Sequence, residues 1–323
     1  MVLPEFQFLR PRSVAEAVEM LGKHVPDVQI LAGGTDLVPS LKQQLFAPRY
    51  LVDVSGLQEL RGISSTDGSL QIGAMTPLSE VEGAREIADR YPVLHEAVKT
   101  VASPVLRNMG TIGGNICLDT RCLWYNQSLA WRKSCGFCIK KDGDLCHVAP
   151  GGSKCWAAFS ADTPPALLCL EAEIEIASTR GARRMPLSEF YTNIGDDRMK
   201  LAKDELLTRV ILPARTAGMK GAYRKLRVRG SIDYPLAGIA VALRANGSVS
   251  EARVAITGVN PAPLLVRADA LVGGSMAEEL AAQIADLAAR TAKPLTTSAL
   301  TPEYRREMVR VFTRRALLAA AAR

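Results

Sequence analysis

The chain has 323 residues, of which 48% are hydrophobic, 23% charged and 5% aromatic, with a formal net charge of +7. That supplies enough apolar chain for a sizeable core in two or three domains, which excludes a disordered chain. The basic residues are spread along the sequence and are not interleaved with aromatics, so nucleic-acid binding is disfavoured, and an acidic ligand or partner surface is the better use of the charge.

Phe6 to Leu9 read as a short strand, and Ser13 ahead of Val14, Ala17, Val18 and Leu21 reads as a capped amphipathic helix. No run of about 18 apolar residues occurs and the first nine residues lack the order of a signal peptide, so neither a membrane span nor export is predicted, and a cytoplasmic location is the default. Val28 to Ala32 is a buried-strand pattern that runs into Gly33-Gly34-Thr35-Asp36 before a helix over Leu37 to Leu45. Paired glycines admit positive φ and close backbone approach, so successive N–H groups can converge on an anion; the same residues also suit a plain strand-to-helix turn. Strands over Tyr50 to Val54 and Ser69 to Gly73 follow, then helices over Leu78 to Arg90 and Val93 to Val101, parted by Tyr91-Pro92.

Thr111-Ile112-Gly113-Gly114-Asn115 repeats the chemistry of the first turn. Two such turns could grip the two phosphates of one dinucleotide. Neither is a Gly-x-Gly-x-x-Gly fingerprint or a Walker loop, so a Rossmann or P-loop phosphate site is not supported. Further on, Ala172 to Ala177, Leu206 to Leu212 and Ala222 to Val228 read as strands, with a linker over Pro213 to Lys220. Ala237 to Leu243 and Ala252 to Thr257 flank Asn246-Gly247, a hairpin signal, and alanine-rich helices are predicted over Ala277 to Ala292 and Thr301 to Ala322. The fold class is α+β.

Six of the seven cysteines fall between Cys117 and Cys155. Reducing compartments disfavour structural disulfides and an odd count leaves one thiol unpaired, so thiolates grouped in a glycine- and lysine-rich loop point to metal. Soft sulfur ligands in that number select an iron–sulfur cluster or zinc, and the residues alone leave both open. Cys169, inside an apolar run, reads as a small core residue, and Cys117 as a residue packed beside a bound ligand. Of the three histidines, none belongs to a triad or zinc-protease pattern, and His147, next to Cys146, reads as a loop residue.

Leu31-Ala32-Gly33-Gly34-Thr35-Asp36 and Thr111-Ile112-Gly113-Gly114-Asn115 resemble the two FAD-binding motifs of the flavin subunits of the xanthine oxidase and CO dehydrogenase family. The resemblance spans almost the whole chain. Ala102-Ser103-Pro104, Asp162-Thr163-Pro164-Pro165 and Tyr223-Arg224-Lys225 fall where that family has similar stretches. It implies extended FAD on a two-part α+β domain of the vanillyl-alcohol-oxidase type, residues 1–56 and 57–216, followed by a CO-dehydrogenase-flavoprotein-like C-terminal domain over 217–323. The FAD contacts it implies are the two glycine motifs with Ala102, Ser103, Asp162 and Lys225, and no catalytic residue lies on this chain.

The departure from the family is a cysteine-bearing insertion at about 118–160. In this it resembles the flavin subunit of 4-hydroxybenzoyl-CoA reductase, which implies a 4Fe–4S cluster. Four thiolates suffice, and the expected set is Cys122, Cys138, Cys146 and Cys155, because Asp142-Gly143 can reverse the chain and return Cys146 toward Cys138 while Cys135 has no such return. By the same resemblance the partners are a molybdenum-cofactor subunit and a 2Fe–2S subunit in a dimer of heterotrimers, which would dehydroxylate 4-hydroxybenzoyl-CoA with electrons from reduced ferredoxin in anaerobic aromatic degradation. The sequence equally fits the flavin subunit of another molybdenum hydroxylase passing electrons outward. A flavin-free scaffold with a structural zinc loop is the rival from another class.

Overall fold

The computed structural model describes residues 3–246, 248–269, 272–273 and 278–323. Three sheets follow one another along the chain. The first joins β1 (Gln7–Leu9), β2 (Val28–Leu31) and β3 (Tyr50–Asp53), all parallel, in the order β1-β3-β2. Parallel neighbours need crossovers, supplied by α1 (Val14–His24) and α2 (Leu37–Lys42). Ser13 caps α1 by accepting from the Glu16 N–H at 3.1 Å, and its buried Ala17, Val18 and Leu21 pack on Val28, Val52 and Val54.

The second sheet is antiparallel, β4 (Ile63–Thr66), β5 (Ser69–Gly73), β6 (Glu173–Ser178), β7 (Gly181–Pro186) and β8 (Leu206–Leu212), in the order β4-β5-β8-β6-β7. Leu70, Ile72, Ile174 and Val210 from this sheet share the largest core with Leu94 and Val98 of α5 (Pro92–Lys99) and Leu167 of α9 (Thr163–Cys169). The single helix expected over Leu78 to Arg90 is two, α3 (Leu78–Gly83) and α4 (Arg85–Arg90), because Ala84 is extended after Gly83 ends the first. Three short helices, α6 (Pro104–Arg107), α7 (Ile112–Ile116) and α8 (Leu129–Ser134), complete this part.

The third sheet is antiparallel in the order β12-β11-β10-β9, formed by β9 (Lys220–Leu226), β10 (Ala237–Asn246), β11 (Ser248–Thr257) and β12 (Leu264–Val266). Ile239, Val241 and Ile256 bury one face against Ile284 of α10 (Glu278–Thr291) and Val309 and Leu317 of α11 (Pro302–Ala321). The expected strand pair and both helices are therefore present, whereas Gly247 of the hairpin turn and Ala277 at the expected helix start lie outside the described residues. Among the described residues no helix is long and apolar enough to cross a membrane.

Candidate cofactor site

The first glycine turn leaves β2 at Leu31. Gly34 has φ +71°, the left-handed region that favours glycine. Gly33 is required for a different reason: a Cβ there would sit 1.8 Å from the carbonyl oxygen of Met109, so only glycine lets this turn lie against the backbone that leads into the second. The second turn departs from expectation, since Gly113 and Gly114 are residues of α7 and owe nothing to positive φ. Thr111 caps that helix, its Oγ1 accepting from the Gly114 N–H at 3.1 Å. Asn115 Oδ1 accepts from Thr163 Oγ1 at 2.6 Å and from its N–H at 3.2 Å, which ties α7 to α9. The hydroxyl and amide expected to face phosphate thus also fix the backbone edges in place.

Asp36 closes the first turn but makes no side-chain cap to α2. It is paired with Arg121 and accepts from the Tyr234 hydroxyl at 3.0 Å, while the Arg121 guanidinium lies 4.5 Å over the Tyr234 ring. An acid beside a phosphate-binding turn would repel its ligand; here a cation from the cysteine-bearing segment cancels it.

Both turns open on one cavity of about 640 Å³, a size suited to a cofactor. Gly33, Gly34 and Thr35 line it from one side and Gly113, Gly114 and Asn115 from the other. Asp196, Asp197 and Arg198 form a third wall, and Ile232, Asp233 and Tyr234, between β9 and β10, form a fourth. Ala32, Asp36, Ala102, Thr111 and Asp162 also line it, but Leu31, Ser103 and Lys225 do not. Ser103 is occupied in capping α6, where its Oγ accepts from the Leu106 N–H at 3.3 Å. Lys225 stands behind the wall, its Nζ 2.9 Å from Asp162 Oδ2 and 2.9 Å from the Thr100 carbonyl. Asp162 accepts in addition from the Tyr223 hydroxyl at 2.8 Å, and both charged side chains of the pair are almost wholly buried.

These residues fit a dinucleotide. The first glycine edge offers backbone approach to phosphates, whereas at the second the expected convergence of N–H groups is not made, because the Gly113 N–H donates to the Ala74 carbonyl at 2.9 Å and the Gly114 N–H to Thr111, leaving close approach alone. Leu78, Val101 and Leu106 offer apolar wall, and buried Asp119, also on the cavity, has an Oδ2 without a hydrogen-bond partner among the described residues. Arg121, Arg198, Ile232 and Tyr234 were not foreseen. They come from loops remote in sequence and carry no periodicity by which to find them.

Cys122, Cys138, Cys146 and Cys155 are buried and together line a second, small cavity with Tyr125, Lys140 and His147. The expected return is made: Ile139 N–H donates to the Leu145 carbonyl at 2.9 Å and Gly143 N–H to the Cys138 carbonyl at 3.2 Å. Cys135 is outside the cavity, half-buried, 4.0 Å from Ser134 Oγ. Burial pushes the Cys122 thiol up to about 11 and the Cys155 thiol up to about 12, although the Ala157 N–H, 3.4 Å from Cys155 Sγ, opposes the latter. These dry thiols hold their protons unless a metal displaces them.

Among the described residues no group of three or more His, Cys, Asp or Glu has an arrangement for a single metal ion. The four cysteines line one small void, and as soft donors they suit an iron–sulfur cluster or zinc alike. His147 stacks on Trp124 at 4.4 Å, with Nε2 2.5 Å from the Phe137 carbonyl oxygen, and so serves the loop itself. Cys117 lines the large cavity, and Cys169 is a core residue whose thiol donates to the Ala240 carbonyl at 3.4 Å.

The family profile described as the FAD binding domain in molybdopterin dehydrogenase matches residues 4–215, and that of the CO dehydrogenase flavoprotein C-terminal domain matches residues 221–320. The chain is 31% identical to the carbon monoxide dehydrogenase medium chain of Hydrogenophaga pseudoflava, over all of this chain and 99% of that one. It is 30% identical to the xanthine dehydrogenase FAD-binding subunit of Escherichia coli O157:H7, over 79% of this chain and 74% of that one. Among solved structures, reconstituted CO dehydrogenase from Oligotropha carboxidovorans superposes with a TM-score of 0.82 at 30% identity, covering both chains completely.

Proposed function

The chain belongs to the family of FAD-binding domains of molybdopterin dehydrogenases, and on that premise we propose that it is the flavin subunit of a molybdenum hydroxylase complex, passing electrons outward through FAD to an external acceptor. Its partners in this reading are a molybdenum-cofactor subunit and a 2Fe–2S subunit, and its place is the cytoplasm. The observation that carries it is the contact of two glycine turns, distant in sequence, on one cavity of about 640 Å³. FAD, when bound, supplies the exchange between two-electron and one-electron carriers. The chain's own residues bind and orient it: Gly33, Gly34, Thr35, Gly113 and Gly114 at the phosphates, Asn115 and Thr111 fixing α7, and the Lys225–Asp162 pair bracing the wall from behind. In this reading the chain divides at about residues 56 and 216, a division supported by the boundaries between its three sheets. Membership of an FAD-binding family overturns the flavin-free scaffold.

A second reading adds a 4Fe–4S cluster on this chain and is favoured by one observation, the four buried cysteines around a single void. It brings with it electron uptake from reduced ferredoxin and, on a partner subunit in a dimer of heterotrimers, reductive removal of the hydroxyl of 4-hydroxybenzoyl-CoA. Purification with co-expressed partners, followed by flavin, molybdenum, iron and sulfide analysis, tests both. A complex without FAD refutes the first reading. A complex whose iron is fully accounted for by two 2Fe–2S clusters refutes the second. Assays in each direction, with an artificial acceptor and with reduced ferredoxin, separate outward from inward flow.

A further inference from the structure

The two cavities are joined by one short piece of chain and one buried ion pair. Between Asn193 and Arg198, Gly195 packs so closely on the cysteine side that a Cβ would meet Cys155 Sγ at 2.7 Å, and its N–H donates to the Cys155 carbonyl at 2.9 Å. The next three residues, Asp196, Asp197 and Arg198, line the large cavity. Lys140 lies at this junction with its side chain only 5% exposed. Its Nζ donates to Asp119 Oδ1 at 2.9 Å, to the Gly195 carbonyl at 3.0 Å and to the Thr120 hydroxyl, and it sits 4.5 Å over the Tyr125 ring. Lys140 and Tyr125 border the cysteines, and Asp119 borders the large cavity.

The same carboxylate oxygen of Asp119 also lies 3.5 Å from Arg198 Nη1. Two cations on one carboxylate leave the trio with a net positive charge, and its buried members, Lys140 and Asp119, sit where fields are strong, while Arg198 reaches partly to solvent. Full burial of an ammonium is costly and needs a reason beyond packing.

We propose that Lys140, held by Asp119, is a positioning residue whose fixed positive charge offsets the negative charge of the centre bound by Cys122, Cys138, Cys146 and Cys155 and raises its reduction potential relative to the flavin. The proposal rests on the cluster reading above. Potentials of such centres respond to nearby charge and burial, and a buried cation favours the more negative, reduced form.

The test is a redox titration of the purified complex, followed by low-temperature electron spin resonance, with the signal of this centre identified by its loss in Cys146→Ser. Lys140→Met should retain FAD and shift the midpoint of that signal to a more negative potential, and Lys140→Arg should restore most of it. Loss of iron in the Met variant with retention in the Arg variant also supports the charge role. An unchanged midpoint in Lys140→Met, or loss of the centre in both variants, overturns the proposal. A wild-type complex with no iron beyond its partner's clusters fails the cluster reading itself, and the proposal with it.

Discussion

Gly33→Ala is the sharpest perturbation of the cofactor cradle. The added Cβ would lie 1.8 Å from the Met109 carbonyl oxygen and 2.6 Å from its carbon. Carbon normally approaches a carbonyl oxygen no closer than about 3.3 Å, so the two backbones must part by roughly 1.5 Å. Neither is a flexible side chain end. One is the exit of a parallel strand, and the other leads into α7, which is tied to α9 through Asn115 and Thr163. Overpacking costs about 1–3 kcal/mol where side chains can yield, so the upper end applies here. The empty chain can relieve this strain by letting the two backbones part, and a ligand that needs them together must restore it, so at about 1.4 kcal/mol per decade FAD binding weakens by up to about 100-fold. FAD titration of deflavinated protein, read by fluorescence quenching, measures it. Gly56→Ala, whose Cβ would meet nothing within 4 Å, is the control. Unaltered FAD affinity in a normally folded Gly33→Ala would refute the assignment of these edges as the phosphate cradle.

Three further outcomes follow from the same geometry. Lys225→Met leaves the Asp162 carboxylate buried without its counter-charge, and the denaturation midpoint should fall by the equivalent of roughly 3–5 kcal/mol, part of which Asp162→Asn in the same chain should recover. Arg183 donates to both oxygens of Glu205 and holds its carboxyl below the ordinary value of 4.5. The stability this contributes is fully present above that unfolded value and is lost as pH falls through the lower folded value, so melting curves recorded across the acid range should show a dependence there that Glu205→Gln flattens. On the cluster reading, Cys138→Ser should lower the iron content of the complex while Cys135→Ser leaves it unchanged, as measured by metal analysis; the reverse result would exchange the two cysteines, and unchanged iron in both would refute that reading.

The parts legible in the sequence are those in which burial and periodicity agree. Ala237 to Leu243 are apolar because both faces are covered, and α1 announces itself through Ser13 and its Ala17, Val18 and Leu21 stripe; β2 was legible although only its Val28 is buried. β4 and β7 escaped because they are edge strands, Ile63-Ser-Ser-Thr66 and the exposed Gly181-Ala-Arg-Arg184, whose hydrogen bonding leaves no apolar alternation. At the site, the glycines were legible, and Gly34 has the positive φ expected of the first pair, but the reasons for Gly33 and Gly113 were not. Gly33 answers to Met109, a contact made only in three dimensions, and Gly113 sits in a helix too short for its periodicity to be read. Lys225 stood out as a family position, yet it reaches the cavity only through Asp162.

The connection between β9 and β10 lines the large cavity and is held by the first glycine turn, by the loop at Ala102 and by the cysteine-bearing segment. Ile232 N–H donates to the Ala102 carbonyl at 2.9 Å, and the Tyr234 hydroxyl bonds to Asp36 and Arg121. The cysteine-bearing segment is stitched to the C-terminal part as well, through Leu123 N–H to the Thr297 carbonyl at 2.8 Å and Phe159 N–H to the Asn260 carbonyl at 2.9 Å. No one sheet owns the pocket, so a ligand seated there draws on all of them at once. At about 100 times its dissociation constant such a ligand adds roughly 2.7 kcal/mol to the folded state. That increment is shared across the whole chain and not confined to the loops it touches. Flavin loading and cooperative unfolding are in this way one equilibrium: the deflavinated chain should melt in separate stages and the loaded chain in one.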